Sequence, residues 1–310
     1  MRKLLFTTSL VAIAASSVPA TAQDAASQGE ITLAPILVVT PLRRESALAG
    51  ATASVTVIDQ ETIEKAPTND VAQLLKSYAG VSVNAYGGLG SSSGVQLRGM
   101  SSTQTLILVN GVRTASATLG SSTLANIPLE SIERIEIVKG PRSAAYGADA
   151  IGGVINIITK QGGSCPQGKA ICGSITAGVS HPWGGFTAVD VHGQKDDVTF
   201  AVGANLLGTR GYDFTLNGLE PDDDGFLRGA MNFALAKKFD WGKIYADGLF
   251  SRGRSQFDAS WGGNETDSTV FAGKAGVRVD HGDDWTTTVE ASQGFDKAEN
   301  FRDRAAGTED

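Results

Sequence analysis

Two periodicities divide the chain. From about Gly173 onward, apolar and polar positions alternate. Val198, Phe200, Val202, Ala204 and Leu206 share one face, with Thr199, Ala201, Gly203 and Asn205 on the other. Gly229, Met231, Phe233 and Leu235 oppose Arg228, Ala230, Asn232 and Ala234, and Phe271, Gly273, Ala275, Val277 and Val279 oppose Ala272, Lys274, Gly276, Arg278 and Asp280. Successive strand side chains point to opposite faces, so a period of two gives one greasy and one polar face. An outer-membrane barrel needs this, with lipid on one side and a wet lumen on the other. A soluble β-sandwich with one wet face reads the same way. About seven such strands follow Cys172.

Upstream, from about Ala51 to Lys160, the pattern is mixed. Val71, Leu74, Leu75 and Tyr78 recur at helical spacing and predict a helix over Asp70–Tyr78, capped by Thr68 or Asn69 and ended near Gly80. Strands are expected at Ser54–Ile58, Val81–Val83, Val95–Leu97, Thr105–Val109, Arg134–Val138 and Val154–Ile158. Asn110-Gly111 marks a tight turn joining Thr105–Val109 to Val112-Arg113. Glu130, Glu133 and Glu136 alternate with Ile132 and Ile135, which reads as a solvated face.

The N-terminus changes the picture. Arg2-Lys3, a mostly apolar Leu4–Ala15 and Ala20-Thr21-Ala22 form a cleavable export signal over residues 1–22, with the mature chain starting at Gln23. The apolar run is too short for a spanning anchor, and no later run reaches the roughly 20 apolar residues of a membrane helix. In an oxidising compartment Cys165 and Cys172, the only two cysteines, favour a disulfide across the turn-like Pro166-Gln167-Gly168-Lys169. Two cysteines alone fall short of the four ligands zinc usually takes. The net charge of −7 argues against nucleic acid. Catalysis has little support: the sequence shows no HExxH, GxSxG or Cys/His pair, and Gly87-Gly88-Leu89-Gly90 lacks the GK[ST] of a phosphate loop.

Three segments occur in order between residues 35 and 160. Ile36-Leu37-Val38-Val39-Thr40 is a short β-prone run inside a linker (residues 23–50), ended by Pro41 and Arg43-Arg44. Leu97-Arg98-Gly99 precedes Leu106-Ile107-Leu108-Val109-Asn110-Gly111-Val112-Arg113. Gly140-Pro141-Arg142-Ser143-Ala144-Ala145-Tyr146-Gly147 precedes Ala150-Ile151-Gly152-Gly153-Val154-Ile155-Asn156-Ile157-Ile158-Thr159. Together they resemble the TonB-dependent outer-membrane receptors. The resemblance implies an α+β plug over residues 51–160, then the first antiparallel transmembrane strands over 161–310. About 22 strands are expected in a complete barrel of this kind. Since membrane barrels leave no edge unpaired, seven strands predict a fragment, completed by sequence beyond residue 310.

The resemblance also implies roles. Ile36, Leu37, Val38, Val39 and Thr40 would form the TonB box, added as a strand to TonB, which is powered by its inner-membrane complex. The other reading of this segment is a first plug strand. Arg98 and Arg142 sit among apolar or small residues and would form plug-to-barrel ion pairs, since a buried arginine needs a carboxylate; a solvated arginine is the alternative. Within the family the likeness is to the cobalamin (vitamin B12) importers. Gly211-Tyr212-Asp213 and Asp222-Asp223-Asp224-Gly225-Phe226 are similar to their calcium loops, so Asp213, Asp222, Asp224, Asp258 and Asp267 would hold structural calcium, with no catalytic cofactor. Asp258 and Asp267 match by spacing alone. Asn84, Tyr86, Ser92, Gly94, Ser101, Leu119 and Gly120 would face the nutrient on outward plug loops. The expected function is TonB-dependent uptake of cobalamin or a related corrinoid through the outer membrane, with its lipid as solvent. A ferric-siderophore or haem receptor and a secreted β-rich adhesin are the rivals.

Overall fold

A computed structural model describes residues 37–38, 46–47, 53–85, 87–114, 124–181, 183–213, 223–258, 263–282 and 285–301. The first elements are a minimal hairpin, β1 (Leu37–Val38) with β2 (Ser46–Ala47), in register Leu37↔Ala47 and Val38↔Ser46. Ile36, Val39 and Thr40 lie outside the described residues.

The plug follows. Its elements are β3 (Ser54–Ile58), α1 (Gln60–Glu64), α2 (Val71–Lys76), β4 (Val81–Ala85), β5 (Ser93–Leu97), β6 (Thr105–Val109), β7 (Val112–Arg113), β8 (Ile132–Lys139), α3 (Ser143–Tyr146) and β9 (Gly153–Thr159). Five strands form one sheet in the order β3-β8-β9-β6-β7, and β4 pairs with β5 alone. Only β6 and β9 run parallel, and every residue of both is buried. A strand covered on both faces needs an unbroken apolar run, as Leu106–Val109 supplies.

Helix α2 starts one residue later than its period suggests. Asp70 itself is the cap, accepting from the Ala72 amide at 2.9 Å, while Thr68 Oγ1 accepts from Asp70 N. Val71, Leu74 and Leu75 enter a core with Ile135, Ile137 and Ile155. Burying each such side chain stabilises by about 1.5–3 kcal/mol. Asn110 (φ 51°) and Gly111 (φ 81°) both take left-handed backbone, as a two-residue hairpin turn requires. Short α1, α3 and several 3-10 turns carry too little period to be read in advance.

Seven antiparallel strands form the wall: β10 (Ile171–Ser180), β11 (Gly184–Lys195), β12 (Val198–Thr209), β13 (Phe226–Phe239), β14 (Gly242–Gln256), β15 (Glu265–His281) and β16 (Trp285–Phe301). They pair strictly in sequence order. The alternation resolves into two surfaces. Val202, Leu206, Leu227, Met231, Phe233, Leu235 and Phe250 are exposed on one; Arg228, Asn232, Asp247 and Ser251 are buried on the other, against the plug. The apolar side faces away from the protein, which inverts the water-soluble arrangement and excludes the sandwich reading. Among the described residues no helix is long and apolar enough to cross a membrane. Strands lengthen from 10 residues in β10 to 17 in β16. About 9–11 residues suffice to cross a bilayer, so the later strands project beyond it. Two or three residues separate β11 from β12, β13 from β14 and β15 from β16; at the other ends of the strands three residues separate β10 from β11, and the longer stretches 210–225 and 257–264 separate β12 from β13 and β14 from β15. Barrels of this kind place short turns on the periplasmic side and long loops outside.

Candidate functional site: the cavity between plug and wall

The plug sits against the polar side of the wall, and what holds it there is mostly polar. Arg228 on β13 is the chief contact. Its side chain is 1% exposed, donates from Nη1 to the carbonyls of Ala125 (2.9 Å) and Ile127 (3.5 Å), and brings Nη2 to 3.7 Å from Glu130 Oε2. Glu130 and Asp70, both on the plug, supply the opposing charge. Burial pushes the Asp70 carboxyl above its ordinary range, against the Ala72 amide it accepts from and the Arg228 cation. Asn126 donates to Ser268 Oγ of β15 at 2.8 Å. Lys160, just past β9, reaches Asp190 of β11 at 4.0 Å.

Two wall glycines let the plug approach this closely. A Cβ on Gly253 would stand 2.1 Å from Asn126 Oδ1, and one on Gly294 would stand 2.0 Å from the Arg113 carbonyl. At Gly294 the obstacle is backbone and no side chain fits; at Gly253 a side chain would have to displace the Asn126 amide.

These contacts correct two expectations. Neither Arg98 nor Arg142 forms an ion pair among the described residues. Arg98 is exposed at a left-handed turn (φ 53°), and Arg142 begins α3 with its Nε buried and unpartnered. The ion pairs that cross to the wall are Arg228–Glu130 and Lys160–Asp190. Glu130 and Glu136 are not a solvated face either: Glu136 is fully buried in β8 and accepts from Arg134 Nε at 3.1 Å. The sign of Arg228 was in the sequence, as a charge on the inward face of β13, but its plug partners were not.

Between plug and wall lies a cavity of about 1060 Å³. The tip of the β4–β5 hairpin lines it, and a Cβ on Gly90 would strike the Phe226 ring at the start of β13. Its ionisable lining is mostly acidic: Glu64, Asp70, Glu130, Asp190 and Asp224, with Lys160, His181 and Tyr212.

The structure gathers some of the expected ligand contacts. Asn84 and Gly94 are register partners in the β4–β5 hairpin, with exposed Ser92 beside them. Ser101 adjoins them through Ser102, whose side chain a Cβ on Gly94 would meet at 3.1 Å, and the Ser101 hydroxyl lies 3.0 Å from that of Thr103 at the start of a 3-10 turn. Tyr86, Leu119 and Gly120 lie outside the described residues.

The acidic loops meet at the long-loop end. Gly211 (φ 71°) lets residues 211–213 and 223–225 come together; a Cβ there would stand 1.7 Å from the Asp224 carbonyl. Asp213 is exposed and Asp224 buried. Asp258 has both carboxylate oxygens buried with no hydrogen-bond partner among the described residues. A buried lone carboxylate is costly without a cation, so Asp258 suits a calcium ligand. Asp267 is already engaged, accepting from Arg254 Nε at 2.8 Å and standing 3.5 Å from Arg252. No three of these aspartates bring oxygens together as one metal group among the described residues, and Asp222 lies outside them.

Cys165 and Cys172 are joined in a disulfide. The sequence shows no Cys/His pair, yet strand pairing makes one. Cys172 and His192 are register partners on β10 and β11, with His192 Nε2 at 3.1 Å from Cys172 Sγ.

A plug folded inside a wall that is greasy outward and polar inward defines a TonB-dependent receptor. Residues 47–154 match the TonB-dependent receptor plug domain. Over the described residues its barrel is incomplete. In sequence it is similar to two proteins named as the vitamin B12 transporter BtuB. The one from Photobacterium profundum is 33% identical over 282 residues, covering 88% of this chain and 45% of the relative. The one from Vibrio vulnificus is 47% identical over 123 residues, covering 40% of this chain and 20% of the relative. The chain thus spans less than half the length of the relatives it matches. In fold it is similar to the siderophore receptor PiuA from Acinetobacter baumannii, at TM-score 0.64 and 18% identity, covering 82% of this chain and 38% of that one.

Proposed function

We propose that the chain provides the plug and part of the wall of an outer-membrane importer that carries cobalamin or a related corrinoid, driven by TonB, with no covalent chemistry of its own. The observation that carries this reading is the sequence similarity to proteins named as vitamin B12 transporters, extending from the plug into the wall. The cavity favours it over a ferric siderophore. Glu130 and Asp190 of its lining are paired with Arg228 and Lys160, and the acidic excess left by Glu64, Asp70 and Asp224 suits an uncharged, amide-bearing corrinoid better than a polyanionic iron chelate. The PiuA-like fold at 18% identity speaks for architecture, not cargo.

The hairpin tip with Asn84, Ser92 and Gly94 would meet the cargo, together with Tyr86, Ser101, Leu119 and Gly120. Calcium held by Asp213, Asp222, Asp224 and Asp258 would tie the outer loops together and lower the ordering cost of binding. Asp267 joins that set only by giving up Arg254. Residues 36–40 would add as a strand to TonB, and β1 must first leave β2 to do so.

Two measurements test this on the full receptor. Deleting residues 36–40 should abolish uptake of radiolabelled cobalamin and leave its binding intact; undiminished uptake would overturn the coupling role. Cobalamin binding should weaken with a calcium chelator and resist competition by a ferric siderophore. Binding of the siderophore in its place would establish the rival reading.

A further inference from the structure

The cluster around the disulfide contains more than a staple. Cys165 Sγ lies 3.6 Å from the His192 carbonyl oxygen, and Cys172 Sγ lies 3.1 Å from His192 Nε2. Behind the ring, His192 Nδ1 meets Asp190 Oδ1 at 2.9 Å. That contact favours the tautomer with the proton on Nδ1, which leaves the Nε2 lone pair facing the sulfurs. The two sulfurs and Nε2 all lie within 4.8 Å of one another. Asp190 is itself pinned: it is buried, faces the Lys160 ammonium at 4.0 Å, and has Oδ2 without a hydrogen-bond partner.

From this geometry we propose that the reduced Cys165–Cys172 pair and His192 form a metal site for zinc-type, borderline-soft divalent cations, closed by the disulfide and opened by a dithiol. The atoms fit. A tetrahedral zinc ion with bonds of about 2.0–2.3 Å holds its ligand atoms roughly 3.5–3.8 Å apart. Cleavage of the S–S bond lets the sulfurs move to that spacing, and the Cys172–His192 gap needs to open only slightly. The Asp190–His192 contact supplies the outer carboxylate that orients a metal-bound imidazole. Three protein ligands leave the fourth tetrahedral position for water or a small solute.

The electrons and protons balance. A dithiol gives two electrons and two protons to Cys165 and Cys172 and becomes a cyclic disulfide. The metal ion then replaces the two thiol protons, which pass to solvent. Lys160 and Asp190 also line the cavity between plug and wall. The site therefore borders the cavity, on the part of β11 nearer its short-turn end.

Cobalt(II) is the probe, because thiolate ligation gives it a charge-transfer absorption that oxygen ligands do not. The full chain, purified in detergent, is titrated oxidised and after dithiol reduction. The reduced protein should bind one cobalt(II) with that absorption, zinc(II) should displace it, and the oxidised protein should show none. The oxidised sample is the same polypeptide, so no folding defect confounds the comparison. His192→Ala should weaken binding at least as much as Asp190→Asn, for which a loss of about 10- to 100-fold is expected. Absence of the absorption in the reduced protein, or unchanged affinity in His192→Ala, would overturn the proposal.

Discussion

The plug and the wall are both β-structures, but they distribute their apolar residues in opposite senses. In the plug, Ile135, Ile137, Val154, Ile155 and Ile157 are fully buried within the body of the domain. In the wall, Val202, Leu206, Met231, Phe233 and Phe250 stand exposed, while Arg228, Asn232 and Asp247 are hidden. Where the two meet, apolar side chains cross in two small groups: Leu249 and Ala272 join the plug's core, and Leu207, Phe226 and Phe186 pack with Ala125 and Leu89 of the plug. The hydrophobic effect therefore acts mainly within each part, and buried hydrogen bonds and ion pairs add to these two apolar groups in fixing one against the other. A polar junction of this kind exchanges its partners for water at modest net cost, about 0.5–1.5 kcal/mol per hydrogen bond. A plug held in this way can be secure at rest and still be movable.

The most damaging test of this contrast is at Arg228. Arg228→Ala removes the guanidinium from Glu130, Asp70 and two plug carbonyls. Stranding buried partners costs about 3–5 kcal/mol. Protease accessibility of the plug and the denaturation midpoint in detergent should both report the loss, and Glu130→Gln in the same chain should recover part of it. A wild-type midpoint would mean that the plug is not seated by this residue. Farther along the same strand, the outward face answers differently. Met231→Arg puts a charge on the lipid side and should lower folding stability in bilayers by about 2–4 kcal/mol if it sits near the midplane. In a water-soluble sheet the same exposed change would be nearly silent.

The smallest effect is a pH dependence within the plug. The folded Asp70 carboxyl has a pKa above its unfolded value, near 3.9. The folded state therefore holds that proton more tightly. The stability this group contributes is complete below the unfolded value and is lost as pH rises through the folded one. Asp70→Asn keeps a residue that caps helices well and removes the titration. The decline in plug stability across the carboxylate range should flatten, as followed by urea unfolding at stepped pH. An unaltered slope would place the titration elsewhere.

The two regions were also unequally legible. Strand faces in the wall follow directly from alternation, because a one-residue slip would turn every greasy side chain the wrong way. Ser54–Ile58, Thr105–Val109 and the Asn110-Gly111 turn follow from composition and turn chemistry. Relations between distant segments did not. Arg228 meets Glu130 and Ala125 across roughly a hundred residues of chain, and His192 meets Cys172 only once β10 and β11 pair. The motifs drew attention to Arg98 and Arg142, but the ion pairs formed elsewhere. Local sequence encodes the sign of a charge and the face it takes; its partner is set by how a closed domain lodges in a curved sheet.

The strand order of the plug has a mechanical consequence. β3 lies at the margin of its sheet, bonded on one side to β8 alone, and it is the first of those five strands in the chain. A pull arriving from the amino end reaches the Ser54–Lys139 rung before any other rung of that sheet. The parallel pair β6–β9 lies farther along the same ladder, shielded by its neighbours. Traction would thus be taken first by an outermost ribbon, and the parallel pair behind β8 would feel the strain only after those rungs had given way.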